Sequence, residues 1–166
     1  MKPTQQGFTL IELITVIVLL GILSAFAISR FPSSQSYSTT VIKNQLIASI
    51  RLAQQTALSR ASVDDTEHTQ LQVMGDSDNW YLNISSGPVS YNAQVDRGGE
   101  QVRYGSNLTS SCSALTATPF TLTLDGDGNR IPAQALRICI DTPSSSADIE
   151  LCISPSGYAY EGACLP

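Results

Sequence analysis

From Phe8 to Ile28 the chain is apolar, with Glu12 as its only ionisable side chain. At ~1.5 Å per residue this run predicts a helix of ~32 Å, about the thickness of a bilayer core. Ser29 to Thr40 is rich in Ser and Thr and holds Pro32, which predicts a bend or interruption. Apolar residues then recur at Ile42, Leu46, Ile50, Ala53 and Ala57, with Ile47 and Leu58 beside them. That spacing marks one face of an amphipathic helix over roughly 39–60, with Lys43, Asn44, Arg51, Gln54 and Gln55 on its other faces. Residues 63–68 form a polar, acidic connector. Beyond residue 69 the period falls to two. Leu71–Val73 and Trp80–Ile84 flank a turn at Gly75–Asn79, and further strands are expected at Val89–Gln94, Gln101–Tyr104, Phe120–Leu124, Ala135–Ile140, Ile149–Ile153 and Tyr158–Tyr160. A helix followed by strands predicts an α+β domain, a long N-terminal helix packed on antiparallel sheet, rather than alternating βαβ units.

Glu12 is the costly residue in this pattern, because a carboxylate in lipid needs a partner. Three readings of the N-terminus compete. A secretory signal peptide would use Ala25-Phe26-Ala27 as its cleavage site, but the segment before the apolar run carries only Lys2 as a charge. An ordinary signal anchor would leave Glu12 near the interface by accident, with Lys2 favouring an N-in orientation and Arg30 weakening that asymmetry. Cleavage between Gly7 and Phe8 would instead leave the apolar segment on the mature chain. Phe8 and Glu12 would then lie on one helix face, with Glu12 in the first turn, where the helix dipole favours a negative charge.

The run Gly7-Phe8-Thr9-Leu10-Ile11-Glu12, followed by about sixteen apolar residues, resembles the prepilin leader and N-terminal helix of type IV pilins and type II secretion pseudopilins. The resemblance implies a leader (1–7) that is cleaved and a transmembrane and assembly helix (8–29). An amphipathic continuation of that helix (30–60) and an antiparallel β globular domain with two disulfides (61–166) follow. It implies that a prepilin peptidase cuts after Gly7 and methylates the Phe8 nitrogen. It also implies that Glu12 meets the Phe8 amine of an adjacent subunit during assembly. The expected location is the bacterial inner membrane, single pass, with the N-terminus cytoplasmic and the C-terminal domain periplasmic, and then the filament. Expected partners are other pilin subunits through their N-terminal helices, the peptidase, the pilus or secretion assembly platform, and membrane lipid before assembly. Ile50–Arg60, Thr121–Gly128 and Ile153–Tyr158 are similar to H-type pseudopilins and FimT/FimU-type minor pilins, and Leu19–Phe31 to minor pilins of the mannose-sensitive haemagglutinin (MSHA) pilus. The function expected is that of a non-catalytic minor subunit of a type IV pilus, acting in pilus initiation or at the tip for surface attachment. A type II secretion pseudopilin is the alternative, followed by a major pilin and a secreted binding module with an ordinary signal peptide. One departure is that many major pilins carry a proline near the middle of this helix, and here the first is Pro32.

Composition narrows the chemistry. The net charge is −5, and removal of residues 1–7 takes away Lys2 and leaves −6. Nucleic-acid binding is not expected of so acidic a chain, whose nearest basic clusters are Arg97 with Arg103 and Arg130 with Arg137. The four cysteines all lie beyond residue 110, an even count that predicts two disulfides in an exported domain. The favoured pairing is Cys112–Cys139 with Cys152–Cys164, the second closing a short C-terminal loop of the kind pilins staple. Cys139–Cys152 across a hairpin is the alternative. Asp125, Asp127 and Asn129 match the opening of a calcium loop, but position six is Arg130 and position twelve Leu136, and Asp-Gly and Gly-Asn also signal a hairpin turn. Arg97-Gly98-Gly99-Glu100 is read as a turn. The acidic residues of 63–68 with His68 are read as a linker rather than a metal cluster. His68 is the only histidine, no Gly-x-Ser-x-Gly elbow occurs, and no catalytic residue, metal or cofactor is expected.

Overall fold

The computed structural model describes residues 9–28, 34–60, 68–141 and 148–165. The chain divides into two compact units, Met1–Ser33 and Ser34–Pro166. The first is represented by helix α1 (Leu10–Ile28). Its large apolar side chains from Leu10 to Leu23 are each between 42% and 76% exposed, on consecutive positions and therefore on every face of the helix. Among the described residues no helix is long and apolar enough to cross a membrane. The side chains described in α1 end at Ser24, whereas the apolar run in the sequence spans Phe8 to Ile28, so a membrane assignment rests on the sequence run.

The second unit opens with helix α2 (Ser34–Arg60). It starts earlier than the roughly 39–60 expected, because its Ser/Thr-rich first turns are held by tertiary contacts. Thr39 is buried, and the Ser38 hydroxyl donates to the Glu100 carboxylate at 3.3 Å. The residues expected to carry the bend, 29–33, lie outside the described ones. Ile42, Leu46, Ile50 and Ala53 are fully buried, so the apolar stripe faces the core as its spacing requires.

Among the described residues ten strands follow: β1 (Thr69–Gly75), β2 (Asn79–Ser86), β3 (Val89–Asp96), β4 (Gln101–Gly105), β5 (Thr116–Ala117), β6 (Phe120–Leu124), β7 (Arg130–Ile131), β8 (Leu136–Asp141), β9 (Ile149–Ile153) and β10 (Ala159–Glu161). The β-structure is not one sheet but two, of five strands each, ordered β3-β2-β1-β6-β7 and β10-β9-β8-β4-β5. All described pairings are antiparallel. In the first sheet Leu71 pairs with Ile84 on one side and Leu122 on the other, which brings three apolar side chains to one face beneath α2. In the second, Ile138 pairs with Leu151 and Ile140 with Ile149. One core gathers these residues with the α2 stripe and the buried Trp80.

The second sheet is covered on both faces. Leu136, Ile138 and Ile140 face the main core, while Arg137 and Cys139 alternate onto the other face, and every residue of β8 from Leu136 to Ile140 is buried. That other face is closed by the segment around a short 3-10 turn at Cys112–Ala114, with Cys112, Leu115 and Cys139 clustered there.

Candidate functional site

The candidate site is the start of α1. Thr9 precedes the helix and Glu12 is its third residue, and the two are bonded reciprocally. The Glu12 backbone N–H donates to Thr9 Oγ1 at 3.3 Å, and the Thr9 backbone N–H donates to Glu12 Oε2 at 3.0 Å. The Thr9 hydroxyl also donates to Glu12 Oε2, at 3.0 Å. This is a capping box, in which each side chain satisfies a backbone donor that the helix start would leave open. Glu12 therefore has neutral donors inside its own chain, a partner that an argument confined to cationic amines overlooks. The sequence signal is Thr-x-x-Glu at 9–12, which names Thr9 as a residue of the site. Gly7 and Phe8, the expected cleavage pair, lie outside the described residues.

Further along α1 the remaining polar groups are folded back onto the helix. Thr15 Oγ1 donates to the Glu12 carbonyl at 2.9 Å, and Ser24 Oγ to the Leu20 carbonyl at 2.7 Å. Neither hydroxyl then demands a partner outside the helix. At Gly21 a side chain would meet nothing within 4 Å. The segment combines an ordered carboxylate at one end with an apolar surface that no described residue of Met1–Ser33 covers.

The other sequence candidates lie in the second unit. Cys112 is bonded to Cys139 and Cys152 to Cys164, with Cα–Cα distances of 5.7 Å and 5.0 Å. The β8–β9 register explains why Cys139 and Cys152 are not bonded to each other. Cys139 stands opposite Glu150 and Cys152 opposite Arg137, so the two sulfurs belong to diagonal positions. Diagonal neighbours are ~7–8 Å apart, beyond the usual reach of a disulfide. Arg137 is buried and paired with Glu150 on that same face.

Asp125, Asp127 and Asn129 form the β6–β7 turn. The Asp125 carboxylate accepts from the Asn129 backbone N–H at 2.7 Å and from its side-chain amide at 3.3 Å, so it serves its own loop. Asp127 is exposed. The one grouping of potential metal ligands among the described residues is Cys112, Cys139 and Glu150, whose cysteines are disulfide-bonded. His68 is exposed just before β1, apart from that grouping.

The segment Arg97–Glu100, expected as a turn, bends at Gly99 and carries a buried acid. Glu100 is fully buried, and its carboxylate accepts from Trp80 Nε1 at 3.0 Å, the Gly98 N–H at 2.9 Å and Ser38 Oγ. The Arg97 guanidinium lies 4.8 Å over the Trp80 ring. Nearby, Asp76 accepts from the Asp78 and Asn79 N–H groups and from the Tyr81 hydroxyl. Those bonds hold its carboxyl below the usual range, and the Asp76 partner raises the Tyr81 phenol. Burial lowers the Arg130 guanidinium.

A family profile described as the prokaryotic N-terminal methylation motif matches residues 2–28. No curated protein matches the chain. Among solved structures the chain is similar to the type IV minor pilin FimU of Pseudomonas aeruginosa (strain PAO1), at 15% identity and a TM-score of 0.54, over 79% of this chain and 92% of that one. At this identity the likeness concerns the fold. The chain thus joins an N-terminal methylation motif to a fold like that of FimU.

Proposed function

We propose that the chain is a minor subunit of a type IV pilus, a non-catalytic building block that acts in pilus initiation or at the tip, in surface attachment. The match of the methylation motif to residues 2–28 is the observation that carries this reading. In it, a prepilin peptidase cuts between Gly7 and Phe8 and methylates the new amine. Residues 8–29 then hold the subunit in the inner membrane, N-terminus in the cytoplasm, with residues 30–60 and the β domain of 61–166 in the periplasm. On assembly, the apolar surface of the helix leaves lipid and is covered by neighbouring helices, a step that needs close packing more than any exclusion of water. The likeness of the fold to that of FimU, a type IV minor pilin, supports the subunit type.

Glu12 sets the register in this scheme. The Thr9 bonds hold its carboxylate in one place before assembly, which lowers the ordering cost when the Phe8 amine of an adjacent subunit arrives. That amine supplies the positive charge that Thr9 lacks. The partners are other pilin subunits, the peptidase and the assembly platform, and no nucleic acid is required.

The test is the intact mass and N-terminal sequence of the chain recovered from sheared surface filaments. A chain beginning at methylated Phe8 is expected. One beginning near Ile28 would make it a secreted module with an ordinary signal peptide. Cleavage at Phe8 with absence from surface filaments, together with a requirement in exoprotein release, would reassign it to a type II secretion pseudopilus.

A further inference from the structure

A cavity of 740 Å³ opens between the N-terminal half of α2 and the end of β3, within the size range of small-ligand sites. Tyr37, Val41 and Gln45 line it from the helix, four residues apart and so on one face. Gln94, Val95 and Asp96 line it from the strand, and Arg97 and Gly98 from the bend that follows. Val41 and the buried Val95 are its aliphatic part. The remainder is one aromatic ring and polar groups.

The two walls are tied to each other. The buried Glu100 carboxylate accepts from Ser38 Oγ on α2 at 3.3 Å and from the Gly98 N–H of the bend at 2.9 Å. At Gly98 a side chain would lie 2.0 Å from the Ser38 hydroxyl oxygen, so helix and bend touch there. Arg97 belongs to the same brace. Its Nε donates to the Glu100 carbonyl at 3.1 Å, one terminal nitrogen donates to the Asp76 carbonyl, and the guanidinium covers Trp80. Walls fixed in this way lose little freedom when a ligand enters.

The other polar groups of the lining are uncommitted. Among the described residues the side chains of Tyr37, Gln45, Gln94 and Asp96 have no hydrogen-bonding or ionic partner. They offer two carboxamides that each donate and accept, a carboxylate that only accepts, and a phenol. An anionic ligand would face the Asp96 carboxylate, while most of the Arg97 donors are already spent. An amine would satisfy Asp96 alone and leave both carboxamides to water. Neighbouring hydroxyls, each a donor and an acceptor, match the whole set. The exposed Tyr37 ring adds an apolar face on which the C–H side of a sugar ring can lie.

We propose that the cavity between α2 and the end of β3 binds a short neutral saccharide. Asp96 accepts from its hydroxyls, Gln45 and Gln94 bond it from opposite walls, and Tyr37 packs against the ring. As a means of surface attachment this rests on the function proposed above, and it gives that attachment a ligand class.

The test uses the full-length chain in a detergent without a sugar headgroup, applied to a printed array of neutral, sialylated and amine-bearing oligosaccharides. Neutral glycans should be retained, and those that score are then titrated calorimetrically as free sugars. Asp96→Ala should weaken the affinity about tenfold or more, because a charge-assisted hydrogen bond is lost. Gln45→Ala should weaken it about threefold or more, and Gln55→Ala, exposed on α2 outside the cavity, should leave it unchanged. All three variants should unfold thermally like the parent. No binding on the array, binding confined to sialylated or amine-bearing glycans, or parental affinity in both Asp96→Ala and Gln45→Ala would overturn the saccharide site. These titrations need no filaments. Absence of the wild-type chain from sheared filaments would overturn the attachment role and leave a bound saccharide standing.

Discussion

Helices α1 and α2 are both built from recurring apolar residues, yet their apolar positions are arranged differently. In α2 the apolar residues are spaced to one face, and Ile42, Leu46 and Ile50 are fully buried against the sheets. In α1 they occupy every face, and its large side chains stay between 42% and 76% exposed. A stripe specifies one neighbour and one orientation, while an all-round apolar helix specifies only an apolar surrounding. The second unit also pairs buried charged groups of its own. Its buried Glu100 has three donors, its buried Arg137 pairs with Glu150, and two disulfides close its loops.

The largest expected difference between the regions comes from matched truncations. Leu46→Ala should lower the unfolding free energy of the detergent-solubilised full chain by about 2–5 kcal/mol, as a buried leucine does when cut to alanine. Ile17→Ala, 57% exposed on α1, should leave that unfolding free energy within about 0.5 kcal/mol of the parent. Equal losses, measured by denaturant titration, would break the distinction between the helices.

The division into helices and the order of the longer strands follow from periods of about 3.6 and two, and they are legible in residues such as Ile42, Leu46 and Ile50 or Leu71 and Val73. The separation into two sheets is not, because β6 returns beside β1 across some fifty residues, and β4 pairs with β8 in the other sheet. The two-residue strands β5 and β7 are too short to show a period and exist through their neighbours' register. Glu100 sits in a stretch that reads as a turn, and its burial depends on Trp80, 20 residues away, and Ser38, 62 away. Local pattern carries no trace of such distant partners. Thr9-x-x-Glu12 is the reverse case, a local signal legible by spacing alone, set inside a run whose apolar character draws the eye to lipid.

A smaller effect should come from the junction that ties both sheets to α2. Gly157 has φ +76°, and a side chain there would lie 2.0 Å from the Gly128 carbonyl oxygen, with Gln54 of α2 at 3.2 Å. Gly128 also has a positive φ, and the Arg130 N–H donates to the Pro155 carbonyl at 2.8 Å, so the β6–β7 and β9–β10 turns meet under the helix. Gly157→Ala should cost about 1–3 kcal/mol from the backbone conformation and close approach. Thermal unfolding that matches the parent would mean that these turns do not hold the unit together.

The smallest effect concerns pH. Asp76 is exposed, and the N–H groups of Asp78 and Asn79 with the Tyr81 hydroxyl depress its carboxyl in the folded chain. A depressed carboxyl contributes stability above its unfolded value, about 3.9, that is lost as pH falls toward the folded value. Asp76→Asn should therefore lower stability slightly at neutral pH, with the deficit shrinking as pH falls below about 4 and the acid limb correspondingly flatter. An identical acid limb in the variant would remove Asp76 from the account.

Glu12 offers the most direct test of assembly through the N-terminal segment. Glu12→Val keeps an apolar helix and removes the one charged group that a neighbour's amine would meet. The decisive measurement is the amount of Glu12→Val chain in sheared filaments relative to the amount in the membrane. The expected result is a chain that inserts, is cleaved after Gly7 and unfolds like the parent, yet is depleted from filaments. Filaments that carry the valine chain at the parental ratio would contradict the account.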